Sequence, residues 1–329
     1  MSHAFIVTHR QNSVEAIIPP PTDKVISAID SLADSGSFSV MLSGGEPTMH
    51  PGSKDILAAA TDRMRMVRIA SILYALTEDD LRTIINNDTV TVQTSLDGLP
   101  ATHDRIRGGA SSFERTVSTI RALAEQDKIV IVAMTANRHN WCEVEGVVRH
   151  CMAAGAAAFR LGLTFPSGRA ANSDLCLSAE EISSLQKNWE TIVKKYSSPT
   201  FSLNRSEESD AYQEFISTRG LLSSCGAGHL LAHIRANGSI NPCPMLNVNL
   251  GNIYEQPFDA AFSGPLFSVF ANSLSPGIDR CADCGAAPFC GRCHAAAAAW
   301  GRTDDHCWWR TSELAKTLGD QGRDDDTKI

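Results

Sequence analysis

No cysteine precedes Cys142 in this chain, and no uninterrupted apolar run approaches the ~18 residues that a bilayer-spanning helix needs. The second absence excludes a helical membrane protein. Cationic excess is missing too: 29 Lys and Arg stand against 37 Asp and Glu, for a formal net charge of −8. Non-specific nucleic-acid binding needs a cationic face to displace counterions, so that partner class is not expected. Residues 1–20 have no basic start, apolar run or small-residue cleavage site of a secretory signal. A disulfide framework is therefore not expected, and the thiols point to a reducing cytoplasm. No internal repeat of fixed period occurs. What is present is ordinary soluble composition, 43% hydrophobic and 20% charged, over 329 residues. That length suits one large domain with a satellite, or two medium ones.

The cysteines are concentrated late. Seven of the ten are Cys225, Cys243, Cys281, Cys284, Cys290, Cys293 and Cys307. Four of them form a C-x2-C-x5-C-x2-C run from Cys281 to Cys293, and Gly238 lies between Cys225 and Cys243. Thiolates hold iron or zinc only when several converge, and a two-residue gap lets both sulfurs of a pair turn inward from one loop. Structural zinc is an alternative to iron here, because zinc ribbons use the same paired units. Cys142, Cys151 and Cys176 stand singly in apolar or mixed segments and are read as buried, inert thiols.

Up to about residue 195 short β-rich runs alternate with helical ones. Strands are expected at 4–8, 37–42, 67–72, 90–95, 129–134 and 158–163, each apolar enough to be buried on both faces. Helices are expected near 22–34, 53–64, 78–86, 113–125, 141–153 and 178–195, with start signals at Thr77 and at Ser178 with Glu181. Six strand-then-helix units imply a parallel α/β sheet, open or partly closed into a barrel. The expected organisation is a barrel over 1–200, a linker and short helix over 201–220, and a cysteine-rich domain over 221–310. A C-terminal helix and a charged, disordered tail take 311–329. A small hairpin is expected around Asn237-Gly238.

Ligand sites of parallel α/β folds lie at the C-terminal ends of strands. Gly44-Gly45-Glu46-Pro47 follows the second strand, where glycines allow close approach and Glu46 offers an acceptor to an ammonium group; a structural tight turn explains the same residues. Ser95 and Asp97 follow the fourth strand, suited to holding a ribose or to capping their own loop. Thr135 and Asn137 end the fifth. Arg169 follows the sixth, as a carboxylate or phosphate clamp or as a surface ion pair.

Together these residues resemble the radical S-adenosylmethionine (SAM) superfamily, in the branch with a C-terminal SPASM domain. The resemblance spans about residues 4 to 310 and rests on Gly44-Gly45-Glu46-Pro47, Ser95-Leu-Asp-Gly98, His103-Asp-x-x-Arg107-Gly108, Pro166-x-Gly-Arg169 and the seven late cysteines. It implies a partial (β/α)6 TIM-like barrel followed by a domain with two auxiliary four-iron four-sulfur (4Fe-4S) clusters. It places Gly44, Gly45 and Glu46 at the methionine amino group, and Ser95 and Asp97 near the ribose and carboxylate. Cys281, Cys284, Cys290 and Cys307 match the ligands of the outer cluster; Cys225, Cys243 and Cys293 match three of the inner one. Its fourth position is open to substrate or taken by a neighbour such as His229 or His233. By this resemblance the chain is a maturase acting on a peptide, a protein or a small molecule, with a reductase or an active homologue as a possible partner.

One part of the family pattern is missing. The C-x3-C-x2-C loop expected after the first strand is not there, and the chain runs Thr8-His9-Arg10-Gln11 with flanks that look intact. Without those thiolates no open-iron cluster exists to deliver an electron to the sulfonium. A natural loss, an engineered deletion and an omission from the record all produce this sequence. Two further readings stay open: a non-catalytic scaffold that binds a peptide, and a zinc-binding interaction module.

Overall fold

The computed structural model describes residues 3–7, 19–73, 76–166, 170, 173–205, 227–228, 230–246, 248–272 and 295. Six parallel strands carry the framework: β1 (His3–Val7), β2 (Ser39–Ser43), β3 (Met66–Ala70), β4 (Val90–Ser95), β5 (Val130–Ala136) and β6 (Ala158–Leu163). Between and after them come α1 (Thr22–Asp34), α2 (Ser53–Arg63), α3 (Glu78–Ile85), α4 (Pro100–Arg107), α5 (Ser112–Ala124), α6 (Val144–Ala153) and α7 (Ala179–Tyr196). The half-barrel order is sequential, as short right-handed crossovers require.

Local chemistry starts and stops these helices. Thr77 and Ser178 each close a capping box with the acid three residues on, Asp80 and Glu181, which satisfies donors that a helix start leaves orphaned. Pro100 opens α4 and Gly108, at φ 68°, ends it in the left-handed conformation. This helix was not expected from periodicity: its eight residues carry three charged side chains and no apolar stripe. Its position is fixed instead by side-chain bonds to its neighbours. The Asp104 carboxylate accepts from Ser111 N–H, Ser112 Oγ and Phe113 N–H, at 2.8, 2.8 and 2.9 Å, which folds α4 onto the start of α5.

The core lies between the helix layer and one face of the sheet. Val40, Leu42, Val67, Ile69, Val92, Val132, Met134, Phe159 and Leu161 pack against Ile29, Ile56, Ile120, Val148 and Trp189. These strand positions alternate with Met41, Arg68, Thr91, Gln93, Ser95 and Arg160, which belong to the other, concave face and are only half-buried. Double burial of every strand is therefore not what the structure has. Two-sided burial needs helices on both faces, and among the described residues they cover one.

The sheet does not stop at residue 200. β7 (Ser202–Arg205) pairs in parallel with β6, inside the segment expected as linker. β8 (Leu231–Ile234) pairs in parallel with β1, and β9 (Ser239–Asn241) and β10 (Gly251–Asn252) follow it antiparallel, so the hairpin around Asn237-Gly238 is present. Ala232, Ile234, Ile240, Ile253, Phe258 and Ala261 join the main core, and the Phe258 N–H donates to Ser31 Oγ of α1 at 3.0 Å. A last helix, α8 (Pro265–Asn272), ends this stretch. The described part of the cysteine-rich region thus shares the barrel's core, because the bare edge of β1 offers it a strand to pair with. The helices expected before Arg219 and over 311–318 lie outside the described residues.

Phe159 is fully buried and its ring lies 6.1 Å from that of Trp189. Phe159→Ala should cost about 3–5 kcal/mol in denaturant unfolding. At Ile129, half exposed just before β5, the same change should cost no more than about 0.5 kcal/mol. Equal losses at the two sites would contradict this placement of the core.

Candidate functional site

The strand ends named from sequence do meet at one edge of the half-barrel. After β2 the chain turns at Gly44, at φ 147°, a backbone state that favours glycine, and enters a single 3-10 turn, Pro47–Met49. Glu46 caps that turn and is buried, 7% exposed. Its Oε1 accepts from Thr48 Oγ1 at 2.8 Å and Thr48 N–H at 3.3 Å, and its Oε2 accepts from Ile72 N–H at 2.8 Å. Both readings of this residue are thus compatible: it holds the turn and ties the end of β2 to the end of β3. Of about four lone-pair sites on a carboxylate these bonds use three, leaving capacity for one further donor such as an ammonium.

Asp97 is the hub of the next two strand ends. Its Oδ2 pairs with Arg107 Nη2 at 2.5 Å, its Oδ1 accepts from Thr135 N–H at 3.3 Å, and its own N–H donates to His103 Nδ1 at 3.0 Å. Asn140 closes the circle, donating through Nδ2 to the carbonyls of Asp97 and Thr135 at 2.9 and 3.0 Å. Its Oδ1 accepts from Asn137 N–H at 2.7 Å. Asp97 therefore does the loop-organising work, while the Ser95 hydroxyl, half-buried at the end of β4, stays available to a ligand. Asn137 is engaged locally, its Oδ1 accepting from His139 N–H at 2.8 Å.

Gly98 must be glycine. Its φ is 154°, and a Cβ there would lie 2.6 Å from Thr102 Cγ2 and 2.7 Å from Glu143 Oε2. That Glu143 carboxylate accepts from Leu99 N–H and Thr102 Oγ1, both at 2.7 Å, and so fixes the start of α4.

Burial pushes the His103 pKa down, opposed by Asp97 and helped by Arg107. The ring is held neutral, with Nδ1 as acceptor and the proton on Nε2.

Arg107, His103 and Asn140 were not assigned roles from sequence. The signal for the first two is their spacing: four residues apart on α4, they share one face and both reach Asp97, Arg107 its carboxylate and His103 its backbone N–H. Asn140 stands three residues after Asn137, and only the fold shows that it bridges two strand ends.

Arg169, Cys225, Cys281, Cys284, Cys290, Cys293, Cys307 and His229 lie outside the described residues. Cys243 is half-buried at a bridge with Leu246. Among the described residues no group of three His, Cys, Asp or Glu could hold a metal ion. His233 is buried on β8, its pKa pushed down to about 4 by burial and then by Arg235. Of the three single thiols, Cys151 is fully buried, with its pKa raised by burial, and Cys176 is half-buried. Cys142 is exposed, not buried as expected, because it sits in the 3-10 turn ahead of α6. Among the described residues no helix is long and apolar enough to cross a membrane.

Arg107→Met would leave the Asp97 carboxylate buried without its cation, and should cost about 3 kcal/mol in denaturant unfolding. The double change Asp97→Asn with Arg107→Met should cost clearly less, because the unpaired charge is gone. A single-variant loss below about 1 kcal/mol would show the pair to be a solvated surface contact.

Comparison with known proteins places this geometry. A family model for the radical SAM superfamily matches residues 10–151, and one for the SPASM iron–sulfur cluster-binding domain matches residues 225–285. The sporulation killing factor maturation protein SkfB of Bacillus subtilis is 31% identical over 235 residues, 71% of this chain and 55% of that protein. This chain thus spans about half of that relative's length. An AdoMet-dependent heme synthase of Methanosarcina barkeri is 27% identical over 249 residues, 72% of this chain and 71% of that protein. Among solved structures, Streptococcus suis SuiB bound to S-adenosylmethionine superposes with a TM-score of 0.71 at 15% identity, covering 93% of this chain and 77% of SuiB. SuiB has also been solved with its precursor peptide SuiA, at a TM-score of 0.70 and 16% identity, covering 93% of this chain and 75% of SuiB. The fold is a radical SAM TIM-like partial barrel with the SPASM domain beyond it. The chain belongs to the radical SAM superfamily, in its SPASM-containing branch.

Proposed function

We propose that this chain binds S-adenosylmethionine at the strand-end edge of its half-barrel and engages a peptide substrate in the manner of a SPASM maturase. As written, it cannot start radical chemistry by itself. The observation that carries the reading is the convergence of Glu46, Ser95 and the Asp97 hub at one edge of a parallel partial barrel. Glu46 has one acceptor position left for the methionine ammonium, and Gly44 and Gly45 let the backbone come close to it. Ser95 offers its hydroxyl to the ribose or carboxylate. Asp97, paired to Arg107, positions the loop rather than meeting the nucleotide with a bare charge. Asn137 and Arg169 would flank the nucleotide from the ends of the fifth and sixth strands.

Residues 221–310 would hold two auxiliary 4Fe-4S clusters. Cys281, Cys284, Cys290 and Cys307 are the ligands of one, and Cys225, Cys243 and Cys293 are three ligands of the other. His233 lies within a strand, neutral and with Nδ1 unbonded, which suits an imidazole ligand for the fourth position. Such clusters supply electron transfer or substrate anchoring. The peptide class is supported by the maturation role in SkfB's name and by the precursor peptide bound to SuiB. The absence of any cysteine before Cys142 favours a second reading, a peptide-binding scaffold or subunit that works beside an active homologue. A cytoplasmic setting follows from the reduced thiols that both readings need.

Anaerobically purified protein, given S-adenosylmethionine and dithionite, should produce no 5′-deoxyadenosine above a no-enzyme control. Turnover above that control would overturn the inactive reading.

Iron and acid-labile sulfide analysis should give about eight irons per chain, four per cluster, and Cys284→Ala should remove roughly half. A colourless protein containing zinc would instead establish the zinc module. Full iron retention in Cys284→Ala would sink the ligand assignment.

A further inference from the structure

The concave face of the sheet carries two cations that the reading above does not use. Arg68 is the third residue of β3 and Arg160 the third of β6, and the alternation of their strands turns both away from the helix layer. Among the described residues no carboxylate pairs with either guanidinium, although surface arginines such as Arg63 and Arg138 do find acids. Arg68 Nε is buried with no hydrogen-bond partner, and so is Gln93 Oε1 on the strand next to β3. The two arginines feel one another: burial first, and the Arg160 charge second, push the Arg68 pKa down to about 10. Burial also lowers that of Arg160. Small residues stand beside them, Ala70 in register with Gln93 and Ala133 in register with Arg160.

Two half-buried like charges, one of them with a buried and unmet Nε, and an unmet carbonyl destabilise a ligand-free protein, which calls for a compensating partner. A guanidinium fork is shaped for a carboxylate, and an unmet amide oxygen wants an N–H. An acidic amino-acid residue within a peptide brings both. Arg68 and Gln93 each lie two residues before the end of their strand. At ~3.3 Å per residue this is about 7 Å beneath the strand-end layer where the nucleotide is proposed to bind.

We infer that Arg68, Arg160 and Gln93 form a second binding site, on the inner wall of the half-barrel, for the side-chain carboxylate and backbone N–H of an acidic residue in the substrate peptide. This deepens the peptide reading and rests on it for the identity of the ligand. The arginines hold the carboxylate, and the Gln93 carbonyl accepts from the peptide N–H. The site then sets which residue of the substrate comes to lie beneath the nucleotide.

The test uses the full chain, purified anaerobically with its clusters, and titrates acetyl-Glu-amide, acetyl-Gln-amide and inorganic phosphate by calorimetry. Acetyl-Glu-amide should bind and acetyl-Gln-amide should bind at least about tenfold more weakly. Arg68→Met and Arg160→Met should each weaken acetyl-Glu-amide by about tenfold or more, with Arg68→Lys in between, since a lysine keeps charge but loses the fork. Without ligand, Arg68→Met should melt at a higher temperature than the parent, by about 2 °C, because a half-buried, unpaired cation has gone. Equal affinity for the Glu and Gln probes, unchanged affinity in both methionine variants, or tighter binding of phosphate than of acetyl-Glu-amide would each overturn the proposal.

A second arm separates the source of the carboxylate. S-Adenosylmethionine and methylthioadenosine, which lacks the methionine carboxylate, should each bind Arg68→Met as they bind the parent. Acetyl-Glu-amide should still bind when S-adenosylmethionine is saturating. Selective loss of S-adenosylmethionine affinity in Arg68→Met would assign the site to the nucleotide's own carboxylate and end the substrate reading. If neither nucleotide binds the parent protein, the nucleotide site fails while the acetyl-Glu-amide titrations still decide the inner-wall site.

Discussion

The two-residue period of a β-strand is the constraint on which the rest of this molecule depends. Each strand sends one set of side chains to the helices and the other to the hollow of the sheet, and sequence alone decides which set is which. On β3, Val67 and Ile69 go to the core and Arg68 to the hollow; on β6, Phe159 and Leu161 go to the core and Arg160 to the hollow. A slip of one residue in either strand would bury a guanidinium against α-helices and expose the apolar pair, so the register is strongly specified. The same alternation makes the fold useful. It builds one dry face for stability and one polar face that a ligand can complete.

Above that wall, the strand ends are joined by side chains rather than by secondary structure. Glu46 links the second and third strands, Asp97 with Asn140 links the fourth and fifth, and Glu143 pins the loop between β4 and α4. Irregular loops over a parallel sheet leave many backbone donors without ladder partners, and at this edge three carboxylates and one amide accept from five of them, the N–H groups of Thr48, Ile72, Leu99, Thr135 and Asn137. The motifs that mark the family are therefore partly architectural. In Glu46 and Asp97 the carboxylates that hold the loops also border the proposed nucleotide site.

Much of this was legible in the sequence because the relevant segments obey simple periods. All six barrel strands and all but one of their helices follow from apolar runs and capping residues, with ends displaced by at most a few residues. α4 was missed since it is held by Asp104, Arg107 and Glu143 rather than by an apolar stripe, and such bonds are invisible before the chain folds. β7 was read as linker since Asn204 and Arg205 are polar, although pairing with β6 makes them a strand. The docking of the hairpin onto β1 was not legible either, because nothing local to residues 231–234 says which edge they will find. Gly44, Glu46, Ser95 and Asp97 were identified correctly as strand-end residues. Capping of its own loop was one of the two roles read for Asp97; its ion pair to Arg107 was not read, since it depends on a helix that the sequence hid.

The central claim is that the strand-end edge of this half-barrel remains a nucleotide site even though the thiolate loop is absent. Hydrogen–deuterium exchange with and without S-adenosylmethionine tests it most directly. The account predicts slowed exchange in residues 43–49, 95–99 and 135–140, with the helix-facing core unchanged. Identical exchange in those three segments at saturating nucleotide, or protection confined to other parts of the chain, would contradict it.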